Sequence, residues 1–269
     1  MSLLAYPFMQ HAILAALLCS VACGVIGSLV VLNRLSYLAG AIAHAAYGGI
    51  GIAFICGLPA IVCAMGFSLA SSMIMATILL HSEDAGSTAD TAMGILWAGG
   101  MAFGIILIEL SPGYAGDLLG FLFGSILAVP LENIYAMTVL DILLLLLFIR
   151  YRQGLTAITI DPEFARSRGL PVHGLFHLLV GMAAVAVVML LQVVGLILVI
   201  ALLTIPPHMA RHMTRSLPGM MAVASALCFL FCLIGLALAY VWDLSSGALI
   251  IAVAVLAYGA QTFWLRTKN

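Results

Sequence analysis

The residues of this chain that could do chemistry are few, and one of them is a carboxylate set deep in apolar sequence. Asp141 lies in LDILLLLLFIR, nine residues before Arg150, which is about 13 Å along a helix and near the middle of a bilayer. A carboxylate at that depth costs about 2.5–3.5 kcal/mol on insertion scales, so it should face a cavity or a partner. It either lines a cation path or is a protonated, hydrogen-bonded carboxyl inside a helix bundle.

Two histidine pairs, His173/His177 and His208/His212, have the four-residue spacing that places two rings on one helix face. Such a pair can bind a metal. Both pairs fall near the ends of apolar segments, where histidine is an ordinary interfacial residue. We favour the interfacial interpretation, and an exit or sensing site for a metal is the alternative.

The six cysteines all lie inside apolar stretches. None has the paired spacing of a zinc module. We therefore expect them to pack as small apolar side chains.

A polar stretch, ITIDPEFARSRGLP at residues 158–171, carries sharp signals for a short helix. Asp161 is predicted to cap it, Pro162 suits its first turn, and Glu163 complements the helix dipole. Gly169 and Pro171 should end it after about two turns. A short, rigid, charged helix of this kind suits a contact that transmits force.

Asp90 opens the segment DTAMGIL at the start of an apolar run. An aspartate there satisfies free amides and favours the positive end of the helix dipole. We predict a helix cap at Asp90, or a place on the exit side of a translocation path.

Composition fixes the class of protein. Hydrophobic residues make up 65% of the chain and charged residues 7%, with a mean hydropathy of +1.27. A soluble domain needs roughly 25% charged residues, so this surface must face lipid. The net charge of −1 offers no basic patch for nucleic acid.

The sequence predicts an all-α polytopic membrane protein, with residues 1–269 forming one transmembrane domain. The first apolar segment is interpreted as a retained span because it lacks the flanks of a cleaved signal peptide. About 20 apolar residues cross a bilayer, which predicts nine spans near 10–32, 38–57, 59–81, 91–111, 132–149, 173–192, 194–209, 217–240 and 245–265. A shorter apolar piece, 116–129, is predicted to be a re-entrant helix shielded by protein. The stretch 150–172 is predicted to be a cytoplasmic loop.

Orientation follows from the basic residues, which collect in cytoplasmic loops. Nine crossings with the N-terminus outside and the C-terminus inside place every Lys and Arg in the cytoplasm: Arg34, Arg150, Arg152, Arg166, Arg168, Arg211, Arg215, Arg266 and Lys268. The chain has no Gly-rich, Lys-ending nucleotide loop, so it is not expected to be an enzyme. Any ATP hydrolysis must occur in a partner.

Six segments in order resemble the permease family of zinc, manganese and iron ABC importers. They are VIGSLVVLNRLSYLAGAIAHAAYGGIGIAF (25–54), DTAMGIL (90–96), GFLFGSILAV (120–129), ITIDPEFARSRGLP (158–171), VVGLILVIALLTIPPHMAR (193–211) and YVWDLSSGALII (240–251). The resemblance runs from about residue 10 to the end of the chain. It implies a fold like that of type II ABC importer permeases, in the inner (plasma) membrane.

The resemblance also implies partners and a cargo. A second copy of the chain would form a homodimer, two cytoplasmic ATP-binding subunits would drive it, and an external metal-binding protein would deliver the ion. No cofactor would be bound permanently, and the transported ion would be zinc, manganese or iron. The helix at 161–169 would contact the ATPase through Asp161, Pro162, Glu163, Phe164, Ala165, Arg166 and Gly169.

In this resemblance His44 is the best metal candidate, because the family helix usually carries Asp one turn before a His at this position. Here the Asp position is Gly40, so the charged half of the pair is missing. We expect Asp141 to supply that charge, with Asp90 also on the path. Gly40, Pro206 and Asp243 are predicted to be gate or structural positions. A packed histidine is the alternative for His44.

Two alternatives stay open at this point. An ion-coupled secondary transporter or channel would need no ATPase, but such proteins usually carry several intramembrane charges and often inverted repeats. Within the ABC class, the cargo could be a metal chelate or an organic cofactor.

Overall fold

The computed structural model describes residues 7–81, 87–111 and 126–268, and in them the chain is helical. The helices are α1 (Pro7–Leu32), α2 (Ser36–Cys56), α3 (Ala60–His81), α4 (Ser87–Leu110), α5 (Leu131–Ile160), α6 (Pro162–Ser167), α7 (Val172–Val194), α8 (Leu196–Arg211), α9 (Leu217–Trp242) and α10 (Ser246–Lys268). A turn of 3-10 helix at Ile126–Ala128 precedes α5. The predicted all-α class is confirmed.

Eight of these helices are long and apolar enough to cross a membrane. The segment predicted at 194–209 is α8, which has 16 residues and is about 24 Å long, less than the ~30 Å hydrocarbon core. A ninth crossing therefore stays a prediction. The re-entrant helix predicted at 116–129 lies outside the described residues apart from its last few, which include the 3-10 turn.

The C-terminal end of α5 corrects the first part of the loop predicted at 150–172. The helix continues through Arg150 and Arg152 to Ile160 and has 30 residues, a length of about 45 Å. The Thr156 and Thr159 hydroxyls donate to carbonyls one turn back, at 2.7 Å each. Polar side chains that can bond within a helix do not end it, and no proline interrupts this stretch.

The chain divides into two compact units. Unit 1 comprises Met1–Val31, Leu118–Leu146 and Leu190–Asn269, and unit 2 comprises Leu32–Asp117 and Leu147–Met189. The prediction of a single transmembrane domain is not tested by this division.

In unit 2, α2 packs against both α3 and α4. Glycines allow the backbones of α2 and α4 to touch: a Cβ atom at Gly100 would lie 2.7 Å from Ala45 Cα, and one at Gly51 would lie 2.7 Å from the Gly104 carbonyl oxygen. Small residues permit this approach where lipid supplies no hydrophobic drive between helices. The α2–α4 contact is thus fixed at backbone level.

In unit 1, α8, α9 and α10 contact one another, and α1 packs closely on α9. A Cβ atom at Gly24 would lie 2.8 Å from the Met221 carbonyl oxygen. Four buried thiols lie at this contact: Cys19, Cys23, Cys228 and Cys232. These thiols lie close to one another and pack as small buried side chains inside the helix bundle.

Candidate functional site

His44 is buried in the middle of α2, with 8% of its surface exposed. Its ring stacks on the Trp97 indole, with centroids 4.4 Å apart. Its Nδ1 lies 3.2 Å from the Met101 sulfur. Both partners come from α4, one turn apart, so the α2–α4 contact holds the imidazole from one side.

Trp97 and Met101 were missed by the sequence analysis. They continue the DTAMGIL segment, and with Met93 they recur every four residues along one face of α4. That spacing was the available signal. Hydropathy alone does not reveal which α4 residues face a histidine on another helix.

The position at which the expected pair would carry a carboxylate is a glycine. Gly40 is buried in α2 one turn before His44 and contributes no donor atom. Within residues 7–81, 87–111 and 126–268, no three His, Cys, Asp or Glu side chains are grouped to hold a metal. The donors described beside one another are thus an imidazole and a thioether.

Asp141 is buried in α5, with 5% of its surface exposed. Neither carboxylate oxygen has a hydrogen-bond partner among the described residues. The Cys19 thiol of α1 lies near this carboxyl group. Asp141 belongs to unit 1 and His44 to unit 2, and the expectation that Asp141 replaces the charge missing at Gly40 stays a prediction.

The short helix α6 forms as the sequence predicts. Asp161 Oδ1 accepts the Glu163 and Phe164 amides at 3.0 and 2.9 Å, and Pro162 occupies the first turn. Gly169 ends the helix with a positive φ of 75°, and the Leu170 amide closes the turn on the Ala165 carbonyl at 3.1 Å.

Only one side chain of α6 is anchored in the protein. Ala165 is fully buried, whereas the side chains of Glu163, Phe164 and Arg166 are exposed. Phe164 is 53% exposed and is covered in part by the Arg168 guanidinium, 5.1 Å from its ring centroid. α6 therefore presents an aromatic and several charges outward.

Asp90 does not cap α4, which begins three residues earlier at Ser87. It lies in the first turn, where its charge still complements the helix dipole. It lines a cavity of about 530 Å³ together with Arg34 and with Arg166 of α6. The remainder of the lining is mostly apolar. Residues at the start of α4 and in α6 thus face the same cavity.

The two other predicted gate or structural positions have defined backbone roles. Pro206 is buried inside α8, followed by Pro207. Asp243 ends α9 in the left-handed conformation, with φ 53°. Neither position is placed beside His44 or Asp141 by a described contact, and their gating role stays a prediction.

Apolar helices of membrane-spanning length, with a buried imidazole and a buried carboxyl group among them, define a polytopic membrane protein. A model described as the ABC 3 transport family matches residues 5–264. The chain therefore belongs to this family, and the predicted resemblance to metal ABC importer permeases is confirmed.

Individual relatives cover nearly the whole chain. An uncharacterized membrane protein of Synechocystis is 48% identical over 256 residues, 95% of this chain and 90% of the relative. The manganese transport system membrane protein MntC of Halalkalibacterium halodurans is 31% identical over 262 residues, 97% of this chain and 89% of the relative.

A solved structure has the same fold. PsaBC from Streptococcus pneumoniae in complex with Fab superimposes with a TM-score of 0.85 at 28% identity, covering 99% of this chain and 97% of that one. The fold and the family thus agree on a membrane permease of a metal ABC transporter.

Proposed function

We propose that this chain is the membrane-spanning subunit of an ATP-driven importer of a divalent transition metal: zinc, manganese or iron. It works as a homodimer with two cytoplasmic ATP-binding subunits and an external metal-binding protein. It resides in the inner (plasma) membrane, with the N-terminus outside and the C-terminus in the cytoplasm, and crosses nine times in a type II importer arrangement.

The observation that carries this proposal is α6. It is capped at both ends, fixed by one buried alanine, and otherwise exposed through Glu163, Phe164 and Arg166. An exposed aromatic flanked by charges is typical of a protein contact. In a family of ABC permeases, the ATPase is the partner that such a helix fits.

The donor atoms near His44 favour zinc within the set of three metals. Imidazole suits zinc and iron, thioether sulfur suits softer ions, and manganese prefers carboxylate and water oxygen. His44 has the Met101 sulfur beside it, and Gly40 supplies no carboxylate. The same deficit supports a second cargo class, a metal chelate, since a chelate needs fewer protein ligands.

The test is uptake by the complex reconstituted into lipid vesicles. The chain is co-expressed with its ATPase and external binding protein, and entry of radioactive zinc, manganese and iron is measured with and without ATP. The expected result is ATP-dependent uptake in which zinc competes best. Gradient-driven uptake by the chain without an ATPase would favour an ion-coupled carrier and contradict the proposal.

A variant of α6 provides the internal control. Phe164→Ala should lower ATP-driven uptake and reduce the amount of ATPase that co-purifies, because Phe164 is the large exposed apolar side chain of α6. Ile160→Ala, an exposed apolar residue just before the cap, should leave both unchanged. Uptake of a chelate but not of the free ion would replace the free-ion cargo with the second class.

A further inference from the structure

The two histidine pairs of identical spacing differ in whether their ring nitrogens are free. His177 is fully engaged: Nδ1 lies 2.8 Å from the His173 carbonyl oxygen and Nε2 lies 3.1 Å from the Thr77 hydroxyl. The rings of His208 and His212 have no hydrogen-bond partner in the described part of the chain. Only in the second pair are both rings free of hydrogen bonds within the described residues.

The distance between the second pair of rings fits a shared ion. Their centroids are 5.4 Å apart at an interplanar angle of 68°. Two imidazoles that bind one zinc at the usual metal–nitrogen distances have centroids about 5 to 6 Å apart. His208 also contacts the Tyr258 ring edge-on, with centroids 5.6 Å apart, which restricts its orientation.

Both histidines line a small cavity of about 180 Å³ between the ends of α8 and α10. A water molecule occupies roughly 30 Å³ in the liquid, so the cavity has room for an ion and several waters. Three residues of α10 with oxygen-bearing side chains also line it: Tyr258, Gln261 and Thr262. The Gln261 amide nitrogen donates to the Met209 carbonyl at 3.2 Å, which leaves its side-chain oxygen as an acceptor.

The charges around this cavity include one that favours a bound cation and one that repels it. His208 lies in the last turn of α8, where the helix dipole favours a cation. Arg266 lines the same cavity and repels one. Its side chain is exposed, and a long arginine can carry its charge away into water.

We propose that His208 and His212 form a cation site for a borderline divalent transition metal of the zinc type, with oxygen ligands from α10 and water. The bound ion would link the end of α8 to the end of α10 within unit 1. Two imidazoles with oxygen and water ligands suit zinc better than manganese.

The experiment measures zinc binding to the full chain, purified in detergent with its co-purifying partners and stripped of metal. Equilibrium dialysis against a chelator of known affinity gives the number of zinc ions per chain and their Kd. The double variant His208→Gln/His212→Gln should bind one zinc ion fewer than the wild type. The matched variant His173→Gln/His177→Gln should bind as many as the wild type.

Further variants separate a ligand role from a structural one. His212→Gln alone, at an exposed position, should weaken the site by roughly tenfold or more without changing the metal-free unfolding temperature. Arg266→Gln should leave it unchanged or tighten it slightly, because the like charge that it removes sits on an exposed side chain. Unchanged stoichiometry in the His208/His212 variant, or equal loss in the His173/His177 variant, would overturn the proposal.

A role of this site in import rests on the proposed function. The zinc-binding experiment tests the site, and the uptake experiment tests the proposed function. Zinc bound at His208/His212 without any ATP-driven uptake would leave the site standing and remove the import proposal. Normal ATP-driven uptake, with no bound zinc lost in the double variant, would support the import proposal and overturn the site.

Discussion

At the scale of single residues, the described part of the structure buries an imidazole, His44, and a carboxyl group, Asp141, in apolar helices. His44 has partners, a stacked indole and a thioether. Asp141 has no hydrogen-bond partner among the described residues. A buried carboxyl without partners is costly, so the two residues make different predictions.

Replacement of His44 by alanine should lower ATP-driven metal uptake by roughly tenfold or more, a loss seen even for outer-shell partners at metal sites. The complex should still assemble, because the α2–α4 contact depends on glycines. Uptake in vesicles at several zinc concentrations measures the effect. His81→Ala, an exposed histidine at the end of α3, should transport like the wild type.

Replacement of Asp141 by asparagine keeps the shape and removes the charge. Because neither oxygen has a hydrogen bond to lose, the thermal unfolding temperature should stay the same or rise. Uptake should nevertheless fall if the carboxylate attracts the cation. Normal uptake in both Asp141→Asn and His44→Ala would show that neither residue belongs to the metal path.

At the scale of elements, glycine spacing sets how closely helices pack, and local capping sets where α6 begins. Gly99 and Gly100 are neighbours in α4 with opposite surroundings. A Cβ atom at Gly100 would meet the Ala45 backbone, whereas one at Gly99 would have nothing within 4 Å. This difference isolates the effect of the helix contact from that of helix propensity.

Gly100→Ala should therefore lower the stability of the folded chain by about 1–3 kcal/mol, the usual cost of overpacking. Gly99→Ala should be neutral or stabilising, by up to about 1 kcal/mol, since alanine favours the helix. Thermal unfolding in detergent, followed by tryptophan fluorescence, compares the two. Equal behaviour of the two variants would mean that α2 and α4 do not touch at Gly100.

Asp161→Ala should cost α6 about 1 kcal/mol of local stability, because two backbone amides lose their acceptor. ATP hydrolysis by the complex should then be less stimulated by the loaded binding protein, with little change in global unfolding temperature. Asp161→Asn can still accept those amides and should keep most of the stimulation. Loss of stimulation in the asparagine variant as well would point to the charge and not the cap.

At the scale of the whole molecule, the sequence predicts the helices well and their contacts poorly. Bilayer thickness dictates the length of apolar runs, so the long helices follow from hydropathy. α6 follows from Asp161, Pro162 and Gly169, whose effects are local. The last turns of α5, residues 150–160, were missed because their polar residues resemble a loop. Trp97 and Met101 were missed because their four-residue spacing marks a helix face but does not show which residue of another helix that face meets.

The proposed orientation can be tested by chemical labelling of a native cysteine, Cys56. Cys56 is exposed at the end of α2, which the nine-crossing topology places outside the cell. A membrane-impermeant maleimide should label Cys56 in intact cells, and the Cys56→Ser variant should lose this label. A cysteine introduced at exposed Ser216 should react only after the cells are opened, and the reverse pattern would invert the topology.

A single residue, Asp161, separates α5 from α6, and hydrogen bonds on both sides of it restrict this connection. Its amide continues the hydrogen bonding of α5 to the Ala157 carbonyl at 3.0 Å, while its own carbonyl accepts the Ala165 amide at 3.0 Å. A pull on α6 therefore cannot be absorbed by a flexible tether. We therefore expect the last turns of α5 to move together with α6.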